Sequence, residues 1–419
     1  MKQLVYLCFM AAFVLILFPE KGFSQDGDEQ YSLSFKLTVS NPLDMARKDA
    51  LIFIPEGKIL KGNKDFNPDA FIVTVNEVEV PSQYNQKDSD YAGIVLVMDF
   101  KAKESFDLAV KYKKKGKVSH QYTKRTQAEI SHKINGSFKD KKYIGGEFAN
   151  IDSLRVPDEH TDHSNYIRYE GPGWESDKVG YRFYMDWRNA VDVFGKKTNE
   201  MVLQDVGQDG FSSYHEIAPW GMDVMKVGES LGIGSIAYFE DGKARRVDEV
   251  DSIIVKITEN GPVFSSITTQ YFGWDVAGGL DLESHISIHA GSRLTHQQVH
   301  FMDGSANLCT GIGKDKKAEV FNKKGDKNSW GYLATYGTQS LNNDKLGVAI
   351  FFAPQDFIEF TEDEHSHIVR IKENNNAVEY YYAAAWELEP EGIKDEAAFI
   401  AYVNKTAKEL SQPVTVSFK

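Results

Sequence analysis

Residues 31–39 read Tyr-Ser-Leu-Ser-Phe-Lys-Leu-Thr-Val, apolar at every second position. A period of two suits a half-buried β-strand and does not suit a helix. The pattern recurs over residues 50–55, 70–75, 93–100 and 106–112, with Asn, Asp, Gly and Pro between the runs. Short strands at this spacing predict a small β-sandwich over residues 26–120. The like-charged run Lys113-Lys-Lys-Gly-Lys117 then reads as a solvated linker.

The longer part, residues 121–419, is also rich in strands. They are expected over 180–187, 231–239, 252–258, 263–271, 282–289, 294–301, 347–352 and 378–386, with a last strand at 414–418 after Pro413. One helix is expected, over 395–410, with Asp395 as its N-cap. The fold class is therefore all-β, with large packed antiparallel sheets and one C-terminal helix. With 42% hydrophobic and 12% aromatic residues, disorder is excluded and strands are favoured.

Residues 1–25 combine Lys2, an apolar run over residues 4–18, and a small polar stretch ending at Ser24 and Gln25. That is the layout of a signal peptide cleaved near Ser24/Gln25, which predicts an exported, periplasmic protein. The run is too short for a membrane span, which takes about 20 apolar residues. A lipoprotein would carry a Cys just past the run, but Cys8 lies inside it. The mature chain keeps only Cys309, so no intrachain disulfide can form. A net charge of −13 argues against nucleic acid as a partner. It leaves room for an anionic small substrate, because a local arginine cluster acts within about 8–10 Å.

Four stretches carry residues suited to chemistry. In the first, residues 169–189, strand alternation puts Tyr181, Phe183, Met185 and Trp187 on a core face and Arg182, Tyr184, Asp186 and Arg188 on the other. The two arginines are then about 20 Å apart at ~3.3 Å per residue. The preceding turn, Gly171-Pro-Gly-Trp-Glu, offers Trp174 as an exposed indole beside Glu175. The second stretch, residues 209–223, fits neither period and reads as loop, yet it holds Tyr214, His215, Glu216, Trp220 and Asp223. A His beside a Tyr and a carboxylate can exchange protons near neutrality. Third, His160 and His163, among Asp158, Glu159 and Asp162, are candidate ligands for a divalent metal. A solvated, hydrogen-bonded loop explains them too. Fourth, the hairpin over residues 282–301 puts Glu283, His285, Ser287, His289, His296, Gln298 and His300 on a polar sheet face. The chain has no G-x-S-x-G elbow, Walker A, Rossmann fingerprint or CxxC pair.

Taken together, Tyr-Glu-Gly-Pro-Gly-Trp-Glu-Ser-Asp-Lys-Val-Gly-Tyr-Arg (169–182), Asp-Trp-Arg-Asn-Ala-Val-Asp-Val-Phe-Gly-Lys-Lys (186–197), the spaced Tyr-His-Glu and Trp-Gly-Met-Asp (214–223), and Lys-Val-Gly-Glu-Ser-Leu-Gly (226–232) resemble a known family. It is an exported bacterial domain-of-unknown-function family found among polysaccharide-degrading enzymes, and includes the ulvan-oligosaccharide dehydratase. The resemblance implies a galactose-mutarotase-like β-supersandwich over residues 121–419. It also implies loss of water across C4 and C5 of a non-reducing-end uronic acid, so the partner is an anionic oligosaccharide.

That chemistry assigns roles to the candidates. A base removes the C5 proton, an acid protonates the leaving C4 hydroxyl, and an arginine neutralises the carboxylate. His215, Tyr214, Tyr184 and Arg188 are the catalytic candidates, with Arg188 favoured over Arg182 as the carboxylate's partner. Adjacent residues point apart in an extended segment, so Tyr184 or His163 is the expected partner of His215. Arg182, Trp174, Glu175, Trp220, His163 and Glu216 are the substrate-binding candidates. No cofactor is required, and a divalent metal at His160 and His163 is the open alternative to the arginine. The competing functions are a mutarotase-like epimerase and a non-catalytic glycan-binding protein. The oligomeric state is not legible.

Overall fold

The computed structural model describes residues 31–210 and 212–419, and the signal peptide expected over 1–25 lies outside them. The described chain is all-β in antiparallel sheets, with two α-helices, Glu56–Gly62 and Glu396–Ser411. The first helix, of seven residues, is a departure from the single helix expected. It is too short to show a helical period against its flanking strands, and only Ile59 in it is buried.

The amino-terminal strands form two facing sheets of five and three strands. Leu37, Val39, Ile52, Ile54, Val73, Ile94, Leu96 and Val110 fill the space between them. The edge of the five-stranded sheet comes from the other end of the chain: Thr415–Phe418 pairs with Leu33–Ser40, Leu37 opposite Phe418. Helix Glu396–Ser411 is capped as expected, with Asp395 Oδ1 accepting the Ala398 N–H at 2.8 Å. Its Phe399, Val403 and Ala407 bury against Tyr336, Ala349 and Ala385 of a nine-stranded sheet.

That nine-stranded sheet packs against a six-stranded one, and a second five-stranded sheet adjoins them. The six-stranded sheet holds Arg182, Trp174 and Glu175, and the other candidates lie on the segments around it. Its order is Gly221–Asp223, Val191–Lys196, Val179–Phe183, Gly173–Ser176, Thr126–Lys139 and Lys142–Ile151. One face carries Trp174, Tyr181, Phe183, Val193 and Met222 into the apolar core. The opposite face is polar and equally buried, because the segments around 163–171 and 197–220 lie over it.

Two expected strands are shorter than the alternation suggested. The run over 180–187 stops at Phe183, where the Tyr184 N–H turns to Ala190 O and the Asn189 N–H closes on Asp186 O. The run over 231–239 is strand only from Ala237. Gly232 there has a φ of +54°, and a Cβ on it would sit 2.0 Å from Val191 O. Such close backbone approach needs glycine and breaks a regular strand.

Candidate active site

The polar face is built by strand register. Glu129 lies opposite Gly173, Gly173 opposite Arg182, and Arg182 opposite Asp192, so one row crosses four strands. Asp223, opposite Phe194, extends it diagonally. Gly173 leaves the gap that Tyr169 fills, since a Cβ there would lie 2.6 Å from the Tyr169 hydroxyl. That hydroxyl donates to Glu129 Oε1 at 2.6 Å, and Arg168 also pairs with Glu129.

Arg182 is the hub, and only 1% of it is exposed. Its Nη2 reaches Asp223 Oδ2 at 2.6 Å, Asp192 Oδ2 at 2.8 Å and the Tyr184 hydroxyl at 2.9 Å. Its Nη1 donates to the Tyr214 hydroxyl at 2.9 Å and to Tyr169 O at 3.1 Å. Tyr184 donates in turn to Asp192 Oδ2 at 2.5 Å. Burial and the neighbouring Asp192 push the Asp223 carboxyl well above its ordinary range, against the pull of Arg182. Arg182 reaches both carboxylates through one nitrogen, and these hydrogen bonds are what let so many ionisable groups be buried together.

Arg188 sits on the solvent side of the hub. It pairs with Asp186, with Asp162 Oδ1 at 3.0 Å and with Glu170 Oε1 at 3.1 Å. Its guanidinium carbon lies 3.7 Å from the centre of the Tyr184 ring, and that of Arg182 lies 4.6 Å from the same ring. The expected 20 Å separation is therefore corrected: the chain turns after Phe183 and both arginines converge on Tyr184. Burial alone would push the Glu170 carboxyl up, but Arg182 and Arg188 outweigh it and hold it at about 2. His163, Asn165, Tyr169, Glu170 and Asn189 around the hub all have left-handed φ, from 36° to 69°. Non-glycine residues in that region store about 1–3 kcal/mol each, and such strain gathers at functional sites.

The other candidates divide between buried and accessible. Trp174 is 1% exposed and its indole N–H donates to Thr295 Oγ1 at 2.8 Å, so it cannot be the sugar platform. Glu175 is fully buried on Lys196 and accepts the N–H groups of Val202 and Leu203 at 2.8 Å, which removes it from a substrate surface. Tyr214 is buried beneath His215, their rings 4.6 Å apart. His215 is 40% exposed, and its Nε2 stands 3.4 Å from Asp223 Oδ2. Glu216 is exposed, and Trp220 is half-buried with its ring 6.0 Å from that of Phe194. The exposed indole of the 169–189 stretch is Trp187, 44% exposed, and not the core residue expected. The Arg246 guanidinium lies 5.0 Å over its ring. Arg246 donates to the carbonyls of Gly228 and Ser230, and the charges of Asp248, Glu229 and Asp186 act on it.

His163 is 44% exposed and lines a small crevice with Glu170, Tyr169, Gly207 and Gly210, the last two on the loop that leads to His215. Ligand atoms of Asp162, His163 and Glu170 lie within 4.8 Å of one another. His160 is outside that group, with its Nδ1 on Ser164 Oγ at 2.8 Å and its pKa lowered by burial. The expected His160–His163 pairing is thus replaced by a His–carboxylate group. Arg188 already contacts both Asp162 and Glu170 and supplies positive charge there, so these residues do not fit a metal ion.

Several residues of this constellation carried no signal in the sequence. Asp192 and Glu129 become visible only through strand register, and Arg246 only through its contact with Trp187. A far larger cavity, about 650 Å³, lies away from the hub. It runs between the amino-terminal sandwich, the nine-stranded sheet and the C-terminal helix, and is lined by Tyr91, His296, Glu379, Tyr381 and Tyr402 among others.

These features define an all-β protein of stacked antiparallel sheets with a buried, ion-rich polar face opening on a half-exposed histidine. The chain belongs to the family described as Domain of unknown function (DUF4861), whose match spans residues 39–416. No curated protein matches it. Among solved structures it is similar to a protein in the glycosyl hydrolase family 38 from Enterococcus faecalis, at 9% identity and a TM-score of 0.46. It is similar to the same degree, 9% and 0.46, to an alpha-mannosidase from Enterococcus faecalis V583. This chain is covered over 92% in both matches, but spans only 47% and 46% of those two chains.

Proposed function

We propose that the protein is a carbohydrate-active lyase, an oligosaccharide dehydratase that removes water across C4 and C5 of a non-reducing-end uronic acid of ulvan type. The observation that carries this reading is the contact between His215 and Asp223, 3.4 Å, on a carboxyl anchored by Arg182. It offers a solvent-reachable imidazole held by a buried network, which is what a general base requires.

In this reading the C5–H bond breaks toward the His215 imidazole, and its electrons form the C4–C5 double bond. The C4–O bond breaks, and the oxygen leaves as water with a proton from His163. Trp187 offers a ring face for the sugar. Arg246, whose guanidinium lies over the Trp187 ring, receives the uronate carboxylate. Arg188 is committed to three carboxylates and acts by placing Glu170 and Asp162. Asp223 and Arg182 are positioning residues.

The test is incubation of the protein with oligosaccharides ending in a saturated uronic acid, followed by ultraviolet absorbance of the conjugated enol ether. An absorbing product with water lost from the mass is expected, and its absence with every uronyl-ended substrate overturns the reading. Exchange of anomeric proton signals without that product would mark an epimerase instead.

A further inference from the structure

The cavity of about 650 Å³ between the amino-terminal sandwich, the nine-stranded sheet and the C-terminal helix has no role in the chemistry of the hub. Small-molecule sites usually occupy about 300–1,000 Å³, at domain interfaces of this kind. Strand register builds one wall of it. His296 lies opposite Tyr381 in the neighbouring strand, and Glu379, two residues before Tyr381, shares its sheet face. The His296 ring stacks on Tyr381 at 4.1 Å, and the Trp330 ring meets Tyr381 at 5.5 Å and 71°.

His296 is buried and held at both ring nitrogens. Nδ1 lies 2.9 Å from the Tyr91 hydroxyl, and Nε2 lies 2.7 Å from Glu379 Oε1. Tyr91 comes from the sandwich, where its N–H donates to Asp88 Oδ1 at 2.8 Å. Glu379 is thus fixed through one oxygen, yet its side chain is 48% exposed and lines the cavity. The bond from His296 holds its carboxyl below the ordinary value, so it is an ionised acceptor at neutral pH.

The other charges of the lining are spent on one another. Glu391 pairs with Lys48 at 3.4 Å and with Lys178 at 3.0 Å. Arg293 pairs with Glu389 at 2.7 Å, and Lys405 with Glu409 at 3.7 Å. Arg47 donates to the carbonyls of Glu409 and Gln412, and the Glu409 charge acts on it. A charged ligand would have to displace one of these partners, and a neutral one would not. What the cavity offers is the half-buried Trp330 ring beside a fixed carboxylate, whose hydrogen bonds are about twice as strong as neutral ones. A molecule with an apolar C–H face and an edge of hydroxyl donors matches both, and that is the chemistry of a sugar ring.

We propose that this cavity is a second ligand site, which takes a neutral saccharide with Trp330 as its stacking face and Glu379 as its hydroxyl acceptor. His296 and Tyr91 are positioning residues, because they act through Glu379. The site stands apart from the hub and does not depend on the proposed activity.

The test is calorimetry and saturation-transfer NMR of the protein with cellobiose, lactose and mannobiose, three neutral disaccharides. At least one should bind, one molecule per chain, with a Kd below about 1 mM. Glu379→Gln, at a half-exposed side chain, and Trp330→Ala should each weaken that binding by at least about tenfold. The uronic-acid counterpart of the bound sugar should compete for the site at least about tenfold less well than the sugar itself. Trp187→Ala, on the surface beside the hub, should leave the affinity unchanged. Binding of none of the three sugars, or unchanged affinity in either cavity variant, overturns the proposal. So does equal competition by the uronic acid, or loss of binding in Trp187→Ala, which would move the sugar to the hub. None of these outcomes bears on the dehydratase assay.

Discussion

His215 Nε2 lies 3.4 Å from Asp223 Oδ2, the same oxygen that Arg182 Nη2 reaches at 2.6 Å. One carboxyl oxygen therefore joins a half-exposed imidazole to a guanidinium that is 1% exposed. If His215 is the base, His215→Ala should lower kcat by about 10²–10⁴-fold, the usual worth of general acid–base catalysis. Circular dichroism and Tm should hardly change, because the side chain is at the surface. A variant that keeps full turnover removes His215 from the mechanism.

The two tryptophans of the 169–189 stretch should respond in opposite ways. Trp187→Ala is expected to raise KM for oligosaccharide about tenfold with little loss of stability. Trp174→Ala removes a fully buried ring and its bond to Thr295, and should cost roughly 3–5 kcal/mol in denaturant unfolding.

Arg246→Ala should weaken binding of uronyl-ended oligosaccharides about 10–100-fold and leave neutral ones unaffected. Measuring KM on the matched pair checks this. Equal losses on both substrates would place the carboxylate elsewhere.

Arg182→Met should destabilise the fold by about 3–5 kcal/mol, because Asp192 and Asp223 are left buried beside an apolar chain. The double variant Arg182→Met/Asp192→Asn should recover part of that loss. The comparison is made by chemical denaturation.

Glu170 gives the network a pH signature. Its carboxyl, held at about 2 in the folded protein, sits below the ordinary value of 4.5. The stability it contributes is therefore complete above the ordinary value and is lost as pH falls from about 4.5 toward 2. That linkage amounts to roughly 3 kcal/mol. The Tm difference between wild type and Glu170→Gln should be largest near neutrality and shrink below pH 4.5. A constant difference would mean that Glu170 has no such role.

Period-two alternation over residues such as 294–301 needs only the pleat to be read, and the strand Leu294–Phe301 lies where that pattern puts it. The helix start at Asp395 was equally legible, because a cap is a local bond between residues three apart. Alternation cannot say where a strand stops. It extends a straight strand through Tyr184 and Arg188, whereas the turn at 184–190 is made by backbone bonds that hydrophobicity does not report.

Nor can it say whether a polar face meets water. The sequence by itself determined the all-β class, the helix at the end and the alternation along strands such as Leu294–Phe301. Only the tertiary structure decided that Arg182 faces Asp192, that Trp174 is core and Trp187 is surface, and that His215 meets Asp223. Those outcomes depend on which strands become neighbours and which loops cover them, and register between strands far apart in sequence is a long-range property of packing.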